Sequence, residues 1–207
     1  ENPDEESLAL TKKFQNTRSS LTDTVDKIIQ SGLRPMAGFI IGFDGEKKGA
    51  AHRIINFVEE AAIPTAMFGM LQALPNTALW ERLEKEGRLL EGQEGNINQS
   101  TLLNFVPTRP IEDLAKEYVE VFWELYEPKR YLERIYRHNL LRNPKPHKPD
   151  FKGVKFQEIK ALLVVLWRNG FKRNTRFQFW HQLFLMLLKN PKRAKSYVLD
   201  CTPLEHF

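Results

Sequence analysis

Hydrophobic positions change period several times along the chain, and each change marks an element. Near the start, Asn2 is a good N-cap, Pro3 suits the first helical position, and Asp4, Glu5 and Glu6 favour the first turn electrostatically. A helix to about Arg18 follows, with Leu8, Leu10 and Phe14 as its apolar residues. Residues 20–23 break the pattern. Val25, Ile28 and Ile29 then share one face of a second helix, which Gly32 stops. Residues 36–43 form a continuous apolar run with two glycines, short enough for a strand and not alternating. That pattern suits a strand covered on both faces, as in a parallel sheet. Asp44-Gly45 turns the chain. Ala51, Ile54, Ile55 and Val58 recur at helical spacing until Pro64, and residues 65–74 read as another strand. Strand, helix and strand make a βαβ unit, whose crossover is expected to be right-handed.

Pro75-Asn76-Thr77 caps the next helix, which carries Leu79 and Leu83 and stops at Gly87. Residues 88–108, with Gly92, Gly95 and several Asn and Gln, read as an irregular boundary or active-site loop. After Pro110, the residues Leu114, Tyr118, Val121, Phe122 and Leu125 form an amphipathic stripe. Pro128 restarts a helix with Leu132, Ile135 and Tyr136 on its apolar face. Asn143-Pro144-Lys145-Pro146-His147-Lys148-Pro149 is a polyproline-like linker. Beyond it lie two strongly apolar helices, about 155–169 and 175–189, joined at Asn169-Gly170, and a short basic helix after Pro191.

Composition narrows the class. The 207 residues, 42% hydrophobic, can bury the core of one ordinary domain or two small ones. The single cysteine, Cys201, permits no internal disulfide, so a reducing cytoplasm is the default setting. The polar, acidic opening carries no signal pattern, and its lack of Met suggests a piece of a longer protein. The longest apolar run, residues 161–167, is a third of the ~20 residues a bilayer span needs. Net charge is +5, yet nine basic residues and no acidic one lie between Glu158 and Asp200, so the rest of the chain is net negative. Such asymmetry points to two regions with different partners.

The candidate chemistry is concentrated in Gly38-x-Ile40-x-Gly42. Glycines in a strand admit a close ligand, and an apolar side chain between them offers a flat surface to an aromatic base. The alternative is tight strand–helix packing with no ligand. Gly45-Glu46 reads as the opening of a helix rather than as a catalytic pair. His52, His138, His147, His181 and His206 fall on different elements without i, i+4 partners, so no zinc site is expected. No P-loop and no Ser/His/Asp arrangement is present. In the basic carboxyl-terminal region, Arg168, Lys172, Arg173 and Arg176 interleave with Trp167, Phe171, Phe177, Phe179 and Trp180. Three readings stand: a hairpin packed on the rest of the protein with a basic outer face, a membrane-surface contact, or a single-stranded nucleic acid site, which aromatics beside basic residues also suit. Residues 184–188 are apolar nearly all round, so part of that stretch is buried somewhere.

Several of these segments carry a resemblance. Gly38-Phe39-Ile40-Ile41-Gly42-Phe43-Asp44-Gly45-Glu46 resembles the fifth-strand motif of radical S-adenosylmethionine enzymes. Met67-Phe68-Gly69-Met70-Leu71-Gln72-Ala73-Leu74-Pro75-Asn76-Thr77-Ala78-Leu79-Trp80-Glu81-Arg82-Leu83 resembles their sixth strand and following helix. Asn76 stands where Gly is common, and Asn also tolerates a positive φ. Glu1-Asn2-Pro3-Asp4-Glu5-Glu6-Ser7-Leu8 resembles the exit from the fourth strand. Asn104-Phe105-Val106-Pro107, the Tyr-rich helix after it and the Trp-rich basic end resemble the helical extension of cobalamin-dependent radical enzymes of the hopanoid methylase type. The first hundred residues match at the level of motifs, the remainder at the level of pattern.

The resemblance implies an α/β fold: a partial parallel, TIM-like barrel over residues 1–104, then an all-helical extension over 105–207 with a linker at 143–150. It implies a parent enzyme that modifies an unreactive carbon, with cobalamin-assisted methyl transfer as one form of that chemistry. Its cofactors would be S-adenosylmethionine, a [4Fe–4S] cluster and, in the cobalamin-dependent form, cobalamin. The cluster is held by a Cys-x3-Cys-x-x-Cys loop, which this chain lacks. No catalytic residue or metal ligand is therefore expected here, and the chain alone should be inactive. The cluster- and cobalamin-binding regions of the parent would be its partners. Carried over residue by residue, Gly38, Ile40 and Gly42 would flank the adenine, and Gln72, Ala73 and Leu74 would face the same pocket. Gln72 brings both a donor and an acceptor, unless it is simply a solvated strand end. The incomplete sheet edge favours self-association. The rival reading is a basic amphipathic module that docks a membrane surface through residues 155–197, or an acidic partner, giving a peripheral membrane location.

Overall fold

The computed structural model describes residues 20–90, 103–143 and 156–203. The helix expected over residues 3–18, most of the loop expected over 88–108 and nearly all of the 143–149 linker lie outside them. Among the described residues the α-helices and strands are, in order, α1 (Leu21–Gln30), β1 (Met36–Ile41), α2 (Ala50–Glu60), β2 (Thr65–Met70), α3 (Ala78–Lys85), α4 (Ile111–Leu125), α5 (Pro128–Leu141), α6 (Phe156–Trp167), α7 (Arg176–Lys189) and α8 (Ala194–Asp200). A π-helical turn, Arg168–Lys172, joins α6 to α7. The fold is thus mixed α/β, with a two-stranded parallel sheet. Only helices and turns follow the isolated bridge between Leu89 and Phe105 among the described residues, and the described strands close no barrel.

The residues gather into two compact units. The first comprises Ala37–Phe57 and Ala66–Trp123. Here β1 and β2 pair, and the Leu71 N–H donates to the Ile41 carbonyl at 2.9 Å just past the ladder. Burial along β1 alternates: Phe39 and Ile41 are buried, whereas Gly38 is exposed and Ile40 half-buried. Phe39 packs edge-on against Phe57 of α2 and stacks on Phe68 of β2. The expectation of a strand covered on both faces is therefore not met among the described residues: on the second face Met36 and Gly38 are exposed and Ile40 is only half-buried. Both strands are also shorter than the apolar runs suggested. At Gly42 the chain turns through a φ of +105°, and past Leu71 the Ala73 backbone is met by the Asn104 side chain instead of a ladder. Downstream, Asn76 adopts φ +64°, and the Thr77 hydroxyl caps α3 by accepting from the Trp80 N–H at 3.3 Å.

The second unit comprises Thr22–Met36, Val58–Thr65 and the chain from Glu124 onward. Its core is built by Tyr131, Leu132, Ile135, Phe179, Met186 and Tyr197; Leu132 and Ile135 lie on the apolar face expected of α5. Phe179 stacks on Tyr197, and Tyr136 meets Tyr197 edge-on. The Tyr131 hydroxyl donates to the Asp200 carbonyl at 2.9 Å, and the Tyr197 hydroxyl to Gln182 Oε1 at 3.1 Å. Gly170 is required in the π-helical turn: a Cβ there would sit 2.9 Å from the Trp180 ring, whose Nε1–H donates to the Gly170 carbonyl at 2.8 Å.

Candidate functional site

Parallel pairing brings the carboxyl ends of β1 and β2 side by side, the place where α/β sheets receive ligands. Alternation puts Gly38 and Ile40 on one face of β1. Because Phe39 stacks on Phe68, that face is shared with Met67 and Gly69 of β2. A Cβ built at Gly38 or at Gly69 meets nothing within 4 Å. The open face is therefore low in relief, with Ile40 as its half-buried apolar residue. Gly42 differs from Gly38. It is buried, and a Cβ there would lie 3.1 Å from Leu103 Cδ2. Gly42 serves backbone packing at the strand exit, whereas Gly38 keeps surface free.

Of the second predicted trio, Ala73 is buried, Gln72 half-buried and Leu74 exposed. Ala73 is fixed by Asn104, whose Oδ1 accepts from the Ala73 N–H and whose Nδ2 donates to the Ala73 carbonyl, both at 2.8 Å. One amide side chain thus replaces a neighbouring strand, and those two backbone groups are already satisfied. The structure brings Gly42 and the 71–73 segment together at the strand ends; a Cβ on Gly42 would lie 3.9 Å from Leu71 Cβ.

The turn after β1 is clamped from several directions. Asp44 takes a bidentate pair from Arg88, at 2.8 and 2.9 Å, and a third bond from Arg82 at 2.7 Å. The Arg88 hydrogen bond holds the Asp44 carboxyl below the usual range despite partial burial. Glu46 does not open α2, which begins at Ala50. Its buried carboxylate accepts from the Gly42 N–H at 3.0 Å and lies 3.7 Å from Arg109. Burial pushes the Glu46 carboxyl up, against the pull of the Gly42 N–H and Arg109. Arg109 also binds Glu117 at 2.6 Å, and Glu117 accepts the Gly49 N–H at 2.9 Å. Burial opposes the ionised form of Glu117, but these bonds outweigh it and its carboxyl sits low. Arg53 closes the loop through the Lys47 and Lys48 carbonyls.

Sequence reasoning missed Glu46, Asn104, Arg88, Arg109 and Glu117 as the residues that shape this rim. The only local signal was the four-residue spacing of Gly42 and Glu46; the other partners come from distant segments. Chemically, the rim is a rigid frame beside a flat apolar surface, and its carboxylates are all engaged with cations or backbone N–H groups. Among the described residues no three His, Cys, Asp or Glu side chains gather to hold a metal. Cys201 is fully buried in the helical unit, its thiol on the Tyr197 carbonyl, and burial pushes its pKa far up.

Comparison with known proteins adds three findings. The profile of a family described as "Domain of unknown function (DUF4070)" matches residues 77–207. An uncharacterized methyltransferase of Synechocystis sp. is 61% identical over all 207 residues, which make up 39% of its length. A hopanoid C-2 methylase of Rhodopseudomonas palustris is 26% identical over 187 residues, covering 87% of this chain and 34% of that protein. The chain thus spans well under half of either relative. No solved structure matches it.

Proposed function

The chain belongs to the DUF4070 domain family, and from that premise we propose that it is the carboxyl-terminal part of a radical S-adenosylmethionine methyltransferase. In this reading strands supplied by the rest of the protein pair with the free edges of β1 and β2 to close a parallel barrel, and the open face of the two strands lines its interior. The observation that carries it is the glycine-cleared surface around Ile40 at the paired strand ends. Both named relatives are methyl-transferring enzymes by name and are longer than this chain, which supports a parent enzyme longer than this chain.

The residues present fit the adenine portion of S-adenosylmethionine. Ile40 supplies an apolar platform, Gly38 and Gly69 leave room for a ring to lie against the sheet, and Gln72 stands near the strand end with donor and acceptor capacity. Gly42, held by Glu46, and Ala73, held by Asn104, keep that platform in register. When bound, S-adenosylmethionine supplies the methyl group and, with an iron–sulphur cluster, the one-electron chemistry. The cluster does not fit here: the chain has one cysteine, and that thiol is sealed in the core of the helical unit. In this reading cluster and cobalamin binding fall to other regions of the parent protein, and the chain alone is inactive.

The test uses the longer protein, with its upstream sequence, purified without oxygen. It should carry an iron–sulphur cluster and cleave S-adenosylmethionine. Ile40→Asp should weaken S-adenosylmethionine binding about tenfold or more, by placing an ionised group against the base, while cluster content stays unchanged. A colourless longer protein that leaves S-adenosylmethionine intact would overturn the proposal.

A further inference from the structure

Helix α7 is apolar on two opposite sides. Its inner side, Phe179, Gln182 and Met186, faces the core of the helical unit. Its outer side repeats at intervals of three and four residues through Phe177, Trp180, Phe184 and Leu188, exposed by 75%, 40%, 61% and 65%. A helix in contact with water would carry polar residues there. The outer stripe continues off the helix: Phe171 contacts Trp180 at 5.8 Å, and Trp167 contacts Phe171 at 5.3 Å. The exposed Leu163 and Val164 then extend it along α6. The result is one apolar band across two helices and the turn between them, and contiguous surface of that kind marks a contact site.

Cations border the band. Lys172, Arg176, Lys189 and Lys192 are all exposed, and the Arg176 guanidinium lies 4.9 Å over the Phe177 ring. No acidic residue occurs from 159 to 199. Whatever covers the band must be apolar at its centre and negative at its margins. No helix among the described residues is long and apolar enough to cross a membrane. At 14 residues α7 spans about 21 Å, a length that lies along a surface. Tryptophan beside arginine and lysine is the arrangement that headgroup depth favours: rings sit at the acyl boundary while long cationic side chains reach anionic phosphates. The exposed aliphatic part of the band, Leu163, Val164 and Leu188, offers a nucleic acid base no ring to stack on.

We propose that α6, the π-helical turn and α7 form a docking face for an anionic bilayer surface, with α7 lying in the plane of the interface. The proposal does not depend on the adenine site. The test is co-sedimentation of the 207-residue chain with mixed phosphatidylglycerol–phosphatidylcholine vesicles. The chain should pellet with them, more weakly as salt rises and screens the cations, and poorly with phosphatidylcholine alone. Phe177→Ser with Phe184→Ser should lower binding about tenfold or more, with the circular dichroism spectrum unchanged because both residues are exposed. Lys172→Glu with Arg176→Glu should abolish the preference for anionic vesicles. The proposal is overturned if no vesicle retains the chain at low salt, if the serine double variant binds like the parent, or if a single-stranded oligonucleotide retains the chain more tightly than vesicles do. It is overturned as well if the longer protein fails to bind vesicles that the 207-residue chain does bind, which would make the band an internal interface.

Discussion

In the strand-bearing unit, buried polar groups are met by side chains that act as short tethers: Glu46 on the Gly42 N–H, Asn104 on both backbone groups of Ala73, Glu117 on the Gly49 N–H. In the helical unit the buried polar groups lie in the core itself and are met less completely. Arg134 is fully buried, donates to Glu59 at 2.6 Å and to the Leu125 carbonyl at 2.7 Å, and lies over the Tyr131 ring, yet its Nε has no partner. His138 is fully buried, and neither ring nitrogen makes a well-aligned hydrogen bond. The contrast is structural. The first unit fixes a rim and leaves one sheet face open. The second unit closes its interior at some electrostatic cost and leaves an apolar band along α6 and α7 exposed.

The largest effect should come from cutting the buried cation of the helical unit. Arg134→Ala strands the Leu125 carbonyl and leaves Glu59, whose side chain is 26% exposed, without its partner. A loss of about 3–4 kcal/mol follows if this behaves like other broken buried pairs, measured as a fall in the urea midpoint. A loss below about 1 kcal/mol would mean that water reaches the site, and the comparison would fail on its helical side.

His138 gives the next effect, with a sign that can be worked out. Burial, then the charges of Arg142 and Arg34, push its pKa down from 6.5 to about 4. As pH falls from about 6.5 to about 4, the unfolded chain takes up a proton that the folded chain refuses, so stability is lost through that window. The full difference is roughly 3 kcal/mol. His138→Met should flatten the slope between pH 7 and about 4.5, read as the difference between the two proteins in parallel urea titrations. Asp44 does not mimic this effect, because its lowered carboxyl pKa places its own loss of stability below 3.8.

Asn104→Ala probes the strand-bearing side. It removes two 2.8 Å bonds and leaves the N–H and carbonyl of the buried Ala73 unmet, at about 2 kcal/mol. Asn104→Asp should be worse, since the carboxylate accepts the N–H but repels the carbonyl. Little loss in either variant would show that the 71–74 segment needs no tether, and the rigid-rim half of the comparison would go.

Much of the helical architecture was legible in the chain. The stripe from Leu114 to Leu125 became α4, Pro128 opened α5, Gly32 ended α1 with a φ of +86°, and Asn76 took the left-handed turn. These features are local: spacing, capping and glycine preference act within a few residues. The open face of β1 was not legible, because an apolar run records what a residue can tolerate and not which neighbours arrive. The tethers were illegible for a related reason. Asn104 lies 31 residues from Ala73, and Arg134 lies 75 from Glu59; only folding juxtaposes them. Ile40 and the glycines beside it could be singled out in advance, but not the opposite duties of Gly38 and Gly42.

Those two glycines allow the finest comparison. Gly42→Ala forces an L residue to φ +105° and sets a methyl 3.1 Å from Leu103, which should cost about 1–3 kcal/mol. Gly38→Ala meets nothing within 4 Å. Its stability should change by less than about 0.5 kcal/mol, or rise slightly because the unfolded chain loses freedom. In the longer protein the same methyl would stand where the proposed adenine ring lies, so S-adenosylmethionine affinity should fall while the unfolding midpoint holds. That split between binding and stability separates a surface kept clear for a ligand from one left bare by chance. If Gly38→Ala binds S-adenosylmethionine as well as the parent does, the cleared face has no tenant there, and the adenine site must be sought elsewhere.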